Sequence, residues 1–169
     1  MAVQQCLVLI KPDGLVKSLT GNIISALSET KLKIVGAKIV SVKRELAEVH
    51  YSDLKKQKPQ VFESVLKYIQ GDFHTNRVLA LVYQGENAIK KIREIAGSTN
   101  PEDADPTSIR GKYGRINSKT GVFENVIHAS DSEDNAKREI QLWFSPEELT
   151  ETIYPIKKQE KTQEVRIWA

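Results

Sequence analysis

The chain has 169 residues and a mass of 19.0 kDa, 40% hydrophobic and 28% charged, which is enough for one well-buried core and short for two. Its net charge of +3 is too mild to argue by itself for nucleic acid or membrane but suits a small anionic ligand, and the single Cys6 rules out an intramolecular disulfide. The first apolar run, Cys6 to Ile10, is too short for a signal-peptide core or a membrane span, and Ala2 removes the myristoylation signal, so a soluble chain in a reducing, cytoplasmic compartment is expected. In chain order, Leu7 to Ile10 reads as a buried strand stopped by a turn at Lys11-Pro12-Asp13-Gly14. Gly21 to Thr30 carries Ile23, Ile24 and Leu27 at helical spacing, and Leu32 to Val42 alternates as a strand. Helices are predicted over Glu45 to Lys56 and over Val61 to Ile69, the second with Val61, Val65, Leu66 and Ile69 on one face. Val78 to Tyr83 is the clearest strand and closes at Gly85.

Asn87 caps a helix that runs to Ala96 and ends at Gly97. Gly97 to Thr120 reads as a long irregular stretch, of the kind that carries function in compact domains. Phe123 to His128 is the last predicted strand. Ser130 or Ser132 then caps a helix through Phe144, and Pro155 to Lys161 reads as an extended basic arm. The order of elements suits an α/β sandwich of the split βαβ, ferredoxin-like kind, with a doubly wound parallel sheet as the competitor.

The common phosphate and metal signatures are missing. The only Gly-Lys pair, Gly111-Lys112, is followed by Tyr113 and has Pro106 where a phosphate-loop glycine would stand, and there is no dinucleotide fingerprint. His50, His74 and His128 are far apart and show no zinc spacing. Attention falls on Asn125-Val126-Ile127-His128-Ala129-Ser130-Asp131-Ser132, where a histidine leaves an apolar strand just before a helix start. Strand ends and helix N-termini are where backbone N–H groups meet anions, and imidazole there can serve as nucleophile or base. The carboxylate of Glu139, in the following helix, is placed to reach back to the ring. Read locally, a buried histidine bonded to backbone fits these residues as well. Lys11 at a strand end, Arg93 near a helix C-terminus and Arg110 in the long stretch offer charges suited to phosphate oxygens. Each taken alone reads first as a solvated surface cation. His50, Tyr51 and Tyr68 are expected at half-buried helix positions and His74 in a loop.

From about Cys6 to Leu149 the chain resembles the nucleoside diphosphate kinase family. The resemblance rests on Ile10-Lys11-Pro12-Asp13-Gly14, His50-Tyr51, Gly97-Ser98-Thr99-Asn100-Pro101, Ser108-Ile109-Arg110-Gly111, the segment around His128, and Glu139 with Leu142-Trp143-Phe144. It implies a ferredoxin-like fold with a four-stranded antiparallel sheet covered by helices, in one domain over residues 1–149 with a C-terminal extension at 150–169. It implies transfer of the γ-phosphate from a nucleoside triphosphate to a nucleoside diphosphate, by a ping-pong route through phosphohistidine.

Carried over by position, His128 is the nucleophile through Nδ1, Glu139 accepts Nε2–H, and Ser130 supports Glu139. Lys11 and Tyr51 approach the γ-phosphate, Arg93, Thr99 and Arg110 hold the polyphosphate, and Asn125 with Lys11 meets the ribose hydroxyls. Mg²⁺ is the implied cofactor, held by phosphate oxygens and water with no direct side-chain ligand. The partners implied are nucleotides and further copies of the chain, as tetramer or hexamer, with neither nucleic acid nor membrane required.

Three departures stand out. Where the family has Pro-Phe-Phe, this chain has Pro59-Gln60-Val61-Phe62, so the base-facing register falls on Val61 while the nearest aromatic is Phe62. Gly71 to Asn76 is longer than the family's turn, and Arg115 to Glu124 is an insertion before the histidine strand. The competing readings are an RNA-binding module, faintly suggested by Arg110-Gly111-Lys112-Tyr113-Gly114, and a catalytically silent relative, for which no catalytic position is missing.

Overall fold

The computed structural model describes residues 2–160. Strand β1 (Val3–Ile10) is followed by helices α1 (Pro12–Val16) and α2 (Thr20–Ser28), strand β2 (Lys33–Ser41), and helices α3 (Arg44–His50), α4 (Ser52–Gln57) and α5 (Pro59–Gln70). Strand β3 (Arg77–Glu86), helices α6 (Ala88–Ala96) and α7 (Ile109–Tyr113), the short strands β4 (Arg115–Ile116), β5 (Phe123–Glu124) and β6 (Ile127–Ala129), and helix α8 (Glu133–Trp143) complete the order. The main sheet runs β2-β3-β1-β6 with every neighbouring pair antiparallel, as in a ferredoxin-like fold and not a doubly wound one.

From Cys6 to Ile10 strand β1 is an unbroken apolar run because both faces of the sheet are covered there. Side chains alternate along a strand, so Cys6, Val8 and Ile10 pack with Ile23, Leu27, Ile89 and Ile92 of α2 and α6. Leu7 and Leu9 pack on the other side with Phe62, Leu66, Ile69, Ile140 and Trp143 of α5 and α8. Burial raises the Cys6 thiol to about 12, which makes it an inert core group.

Several elements differ from the sequence expectation. Pro12 begins α1 instead of closing a turn, a position where its missing N–H costs nothing. The helix expected over Glu45 to Lys56 breaks at Tyr51, whose φ of −95° and ψ of 20° turn the chain between α3 and α4. Strand β3 runs past Gly85 to Glu86, because Gln4, Gln5 and Val3 of β1 pair with its last residues.

The strand expected over Phe123 to His128 is two strands in two sheets: Phe123 and Glu124 pair with Ile116 and Arg115, while His128 pairs with Leu9. The joint is Val126, buried at φ 58°, a left-handed conformation that a β-branched residue adopts only under constraint. Its N–H donates to Asp13 Oδ2 at 3.2 Å and its C=O accepts from the Lys11 N–H at 2.9 Å. The stretch expected to be irregular holds α7, which starts at the Ser108 cap; a side chain on Gly111 would run into the Asp105 carbonyl, its Cβ 2.0 Å from that oxygen. Ser132, not Ser130, caps α8 by accepting from the Asn135 N–H.

After Leu149 the chain continues along β2: the Thr150 N–H donates to the Val35 carbonyl at 2.8 Å, and Glu151 receives Gln84 Nε2 at 2.5 Å. Pro155 to Glu160 has no regular structure, and the remainder of the expected arm, Lys161 onward, lies outside the described residues.

Candidate active site

The β6–β1 pairing sets the position of His128, and helix α8 returns across it. Glu139 lies on the buried face of α8 with Ala136, Ile140 and Trp143. Its Oε2 accepts His128 Nε2–H at 3.1 Å and Ser130 Oγ–H at 2.6 Å. Ser130 is locked in turn, its Oγ accepting the Leu7 N–H at 3.1 Å and its N–H donating to the Leu7 carbonyl at 3.1 Å. Burial pushes the Glu139 carboxyl upward, but the bonds and charges of His128, His50 and Ser130 prevail and hold it below the ordinary carboxylate range. An ionised carboxylate only accepts, so Nε2 carries the ring proton and Nδ1 keeps its lone pair.

A second histidine supports the first. His50 is 4% exposed and its ring stands edge-on to His128, centroids 4.6 Å apart. Trp143 Nε1–H donates to His50 Nδ1 at 3.1 Å, which fixes the proton of neutral His50 on Nε2. Burial, with the His128 ring and the charges of Arg138 and Lys11 nearby, pushes His50 well below the usual histidine range, so it stays neutral. His50, His128 and Glu139 place ligand-type atoms within 4.8 Å of one another. With Nε2 of His128 donating to Glu139 and Nδ1 of His50 occupied by the indole, separate hydrogen bonds take up these ligand-type atoms, and the cluster is not arranged as a cation cage.

Next to it lies a cavity of about 360 Å³. At its polar end Lys11 Nζ donates to Asn125 Oδ1 at 2.7 Å, and Asn125 Nδ2 donates to the Thr99 carbonyl at 2.7 Å. Burial, and the Arg110 charge beside it, lower Lys11 to about 7. Arg110 is 4% exposed; its Nη1 donates to the Gly97 carbonyl at 2.8 Å and its Nη2 to the Ile127 carbonyl at 3.0 Å. Burial and the neighbouring Arg93 lower Arg110 to about 10. Tyr51 lines the cavity and touches His50 ring to ring at 4.6 Å. The Tyr51 hydroxyl and Arg110 Nε are buried with no partner among the described residues, although Gly97 and Ile127 engage the rest of the guanidinium. Buried donors without partners are costly, and at a cation-lined cavity they suit a ligand rich in acceptor oxygens.

The structure thus gathers Lys11, Tyr51, Thr99 and Asn125 on one cavity, with Arg110 bonded behind it and His128, Glu139 and Ser130 joined beyond the His50–Tyr51 pair. Arg93 is not on that cavity's wall: exposed on α6 and near enough for its charge to act on Arg110, it lines a recess with Gly97, Ser98, Asp131 and Ser132. Helix α5 shows two stripes, Val61, Val65 and Tyr68 toward the cavity and Phe62, Leu66 and Ile69 toward the core. Val61 is therefore at the site, while Phe62, 5% exposed in the core, is not brought to it. Val65, expected on the core face, lines the cavity instead.

Sequence reasoning placed Tyr68 at a half-buried position. It is fully buried and its hydroxyl donates to Asp13, the carboxylate that also holds the strained Val126 joint. Tyr68 stands three and four residues after Val65 and Ser64, which puts it on the cavity face of α5, and that spacing is the available signal. The segment Arg110 to Gly114 forms α7 and its cap, with Arg110 turned inward, and is not on a strand.

A protein-family model described as nucleoside diphosphate kinase matches residues 4–149. The nucleoside diphosphate kinase of Pyrococcus furiosus is 46% identical over 149 residues, 88% of each chain. That of Thermococcus kodakarensis is 44% identical, covering 88% of this chain and 81% of its own. Among solved structures, a transition-state mimic of the Borrelia burgdorferi nucleoside-diphosphate kinase with bound vanadate and ADP superposes with a TM-score of 0.79 at 33% identity, covering 92% of this chain and 93% of that one. A halophilic nucleoside diphosphate kinase from Halobacterium salinarum in complex with CDP gives 0.77 at 33% identity, with 90% and 95% covered.

Proposed function

The chain belongs to the nucleoside diphosphate kinase family and is a phosphotransferase, and from that premise we propose that it moves the γ-phosphate of a nucleoside triphosphate to a nucleoside diphosphate in two half-reactions, with His128 as the covalent carrier. The observation that carries this reading is the Nε2–H bond of His128 to Glu139, which leaves Nδ1 as the free lone pair. In the first half-reaction Nδ1 attacks the γ-phosphorus, a P–N bond forms, and the P–O bond to the departing diphosphate breaks. The ring gains positive charge, which the Glu139 carboxylate balances. In the second, a diphosphate oxygen attacks the same phosphorus and the P–N bond breaks.

Phosphoryl transfer asks the protein mainly to position groups and neutralise charge. Lys11, Tyr51, Thr99 and, from behind the cavity wall, Arg110 are the groups for the phosphates, and Asn125 and Lys11 for the ribose. Arg93 joins them when the polyphosphate reaches the recess it lines. Mg²⁺, when bound, neutralises phosphate charge. The lining of this cavity includes no carboxylate among the described residues, and phosphate oxygens and water would hold the ion.

We take 1–149 as the kinase domain and 150–169 as an extension, since the family match ends at 149. No helix among the described residues is long and apolar enough to cross a membrane, and we place the enzyme in the cytoplasm. A homo-oligomer, tetramer or hexamer, is supported by the edge strand β2, which exposes Ile34 at 46% and Ile39 at 58%. A solution mass near four or six times 19.0 kDa decides between them, and a monomer refutes both.

The test of the reaction is brief exposure to γ-labelled ATP with Mg²⁺ and no acceptor. Label stays on the protein, is lost in acid, survives alkali and leaves on adding a diphosphate. A His128→Gln variant that still takes label removes the assignment.

A further inference from the structure

We propose that Phe123, carried by the β4–β5 hairpin, is the aromatic surface on which the nucleotide base stacks in this chain. The proposal rests on the nucleotide reading above and assigns the apolar end of the same cavity. That cavity is chemically divided. Lys11, Tyr51, Thr99 and Asn125 form its polar end, while Leu54, Val61 and Val65 from α4 and α5, with Lys58, Gln60 and Ser64 among them, form one wall and Val122 and Phe123 from the hairpin, with Thr120, the other. A ligand with a polyphosphate and a flat heteroaromatic group matches both ends only if the flat group lies among the apolar residues. Val61 offers an aliphatic contact, and Phe62 of the same helix is in the core. Phe123 is the phenylalanine on the cavity wall, and it is 37% exposed.

The ring is held there by a clasp. Side chains alternate on β5, so as Phe123 faces the cavity Glu124 turns inward and is fully buried. Glu124 accepts Arg115 Nε at 2.6 Å, Asn117 Nδ2 at 2.8 Å and a hydrogen bond with His74 Nε2 at 2.9 Å. The first two close the hairpin on itself. The third ties it to the segment from Gly71 to Asn76, and the His74 ring stands edge-on to Tyr68 at 6.4 Å. The two segments that depart in length from the family pattern therefore fasten to each other beside the cavity. Asn117 adds a tight turn, its Oδ1 accepting the Lys119 and Thr120 N–H groups at 2.9 and 3.2 Å. Such a fixed hairpin presents the ring at low ordering cost.

The experiment compares the wild type with Phe123→Ala, Phe123→Leu and Phe123→Trp, measuring dissociation constants for ADP and for pyrophosphate. Loss of base–aromatic stacking weakens ADP about tenfold in Phe123→Ala and leaves pyrophosphate unchanged. Phe123→Leu keeps apolar bulk without a ring and shows the same selective loss. Phe123→Trp retains ADP affinity, and its added emission is quenched by ADP and not by pyrophosphate. Wild-type ADP affinity in both Phe123→Ala and Phe123→Leu overturns the proposal, and so does an equal loss for both ligands, since the ring then only supports the hairpin. If wild type takes no label from γ-labelled ATP, the kinase reading has failed. If it takes label and the Phe123 variants bind ADP normally, only the stacking assignment has.

Discussion

The two ends of the cavity are built on different principles. The phosphate end is made by the main sheet: Lys11 directly follows β1, His128 sits on β6, and Asn125 is at the β5–β6 junction, each side chain held by a hydrogen bond. Its charges are buried and their partners lie far apart in sequence, as with Tyr68, Asp13 and Val126. The base end is made by one helix face and one hairpin, with half-exposed apolar residues and a clasp centred on Glu124. Covalent chemistry needs a lone pair placed to a fraction of an ångström, which only the packed sheet provides. Gripping a flat base needs area and tolerates a local solution. Variants at the two ends should therefore fail differently, the first in turnover and the second in nucleotide affinity.

The sharpest break of that contrast is Glu139→Gln. The amide can no longer demand the proton on Nε2 and cannot balance the ring's positive charge, so kcat falls between about 10²- and 10⁴-fold while the dissociation constant for ADP stays within about twofold. The readout is pre-steady-state labelling of His128 beside ADP titration. An equal loss in both would mean that Glu139 only supports the fold.

Arg110→Ala comes next. It removes charged hydrogen bonds to phosphate worth about 1–3 kcal/mol and strands the buried carbonyls of Gly97 and Ile127. ADP and pyrophosphate affinity fall together, unlike the selective loss at Phe123, and thermal unfolding falls as well. Unchanged affinity for both ligands would take Arg110 out of the phosphate site.

Tyr68→Phe has a smaller effect. Asp13 loses one of its two side-chain bonds and holds the left-handed Val126 joint by the Val126 N–H alone. A stability loss of about 1–2 kcal/mol in denaturant titration is expected, with ADP affinity little changed. A variant as stable as the wild type would show that the strained joint needs no tyrosine.

How far the molecule can be read from residues follows the same division. Lys11, His128 and Arg110 lie in compact runs at strand or helix starts, where apolar periodicity and turn residues mark position directly. The Glu139 bond was within reach because helix α8 immediately follows its strand. Adjacent helix positions differ by about 100°, so one residue of register sends Val61 to the cavity and Phe62 to the core. Tyr51 breaks its helix through a φ/ψ change with no proline or glycine to announce it. The hairpin is hidden in what reads as one strand, since only Asn125 and the left-handed Val126 separate β5 from β6. The His74–Glu124 bond spans 50 residues and leaves no local pattern at all.

The gentlest prediction concerns a proton. Burial, with Arg110 beside it, lowers Lys11 to about 7 from an ordinary 10.5, so near pH 8 most of the free protein carries a neutral amine there. Phosphate oxygens favour the ammonium, and ADP binding should then draw up a fraction of a proton at pH 8, less at pH 6 where the amine is already charged. Calorimetry in two buffers of different ionisation enthalpy measures this, and Lys11→Met should abolish it. Stability carries the matching sign: between about pH 7 and 10.5 the unfolded chain holds more protons at this residue than the folded one, so this group's contribution rises with pH across that window. Lys11→Met should flatten that slope and, by removing a buried charge, raise stability most below pH 7. Uptake of the same size in Lys11→Met would assign the proton to another group, and the phosphate end would then be charged before its ligand arrives.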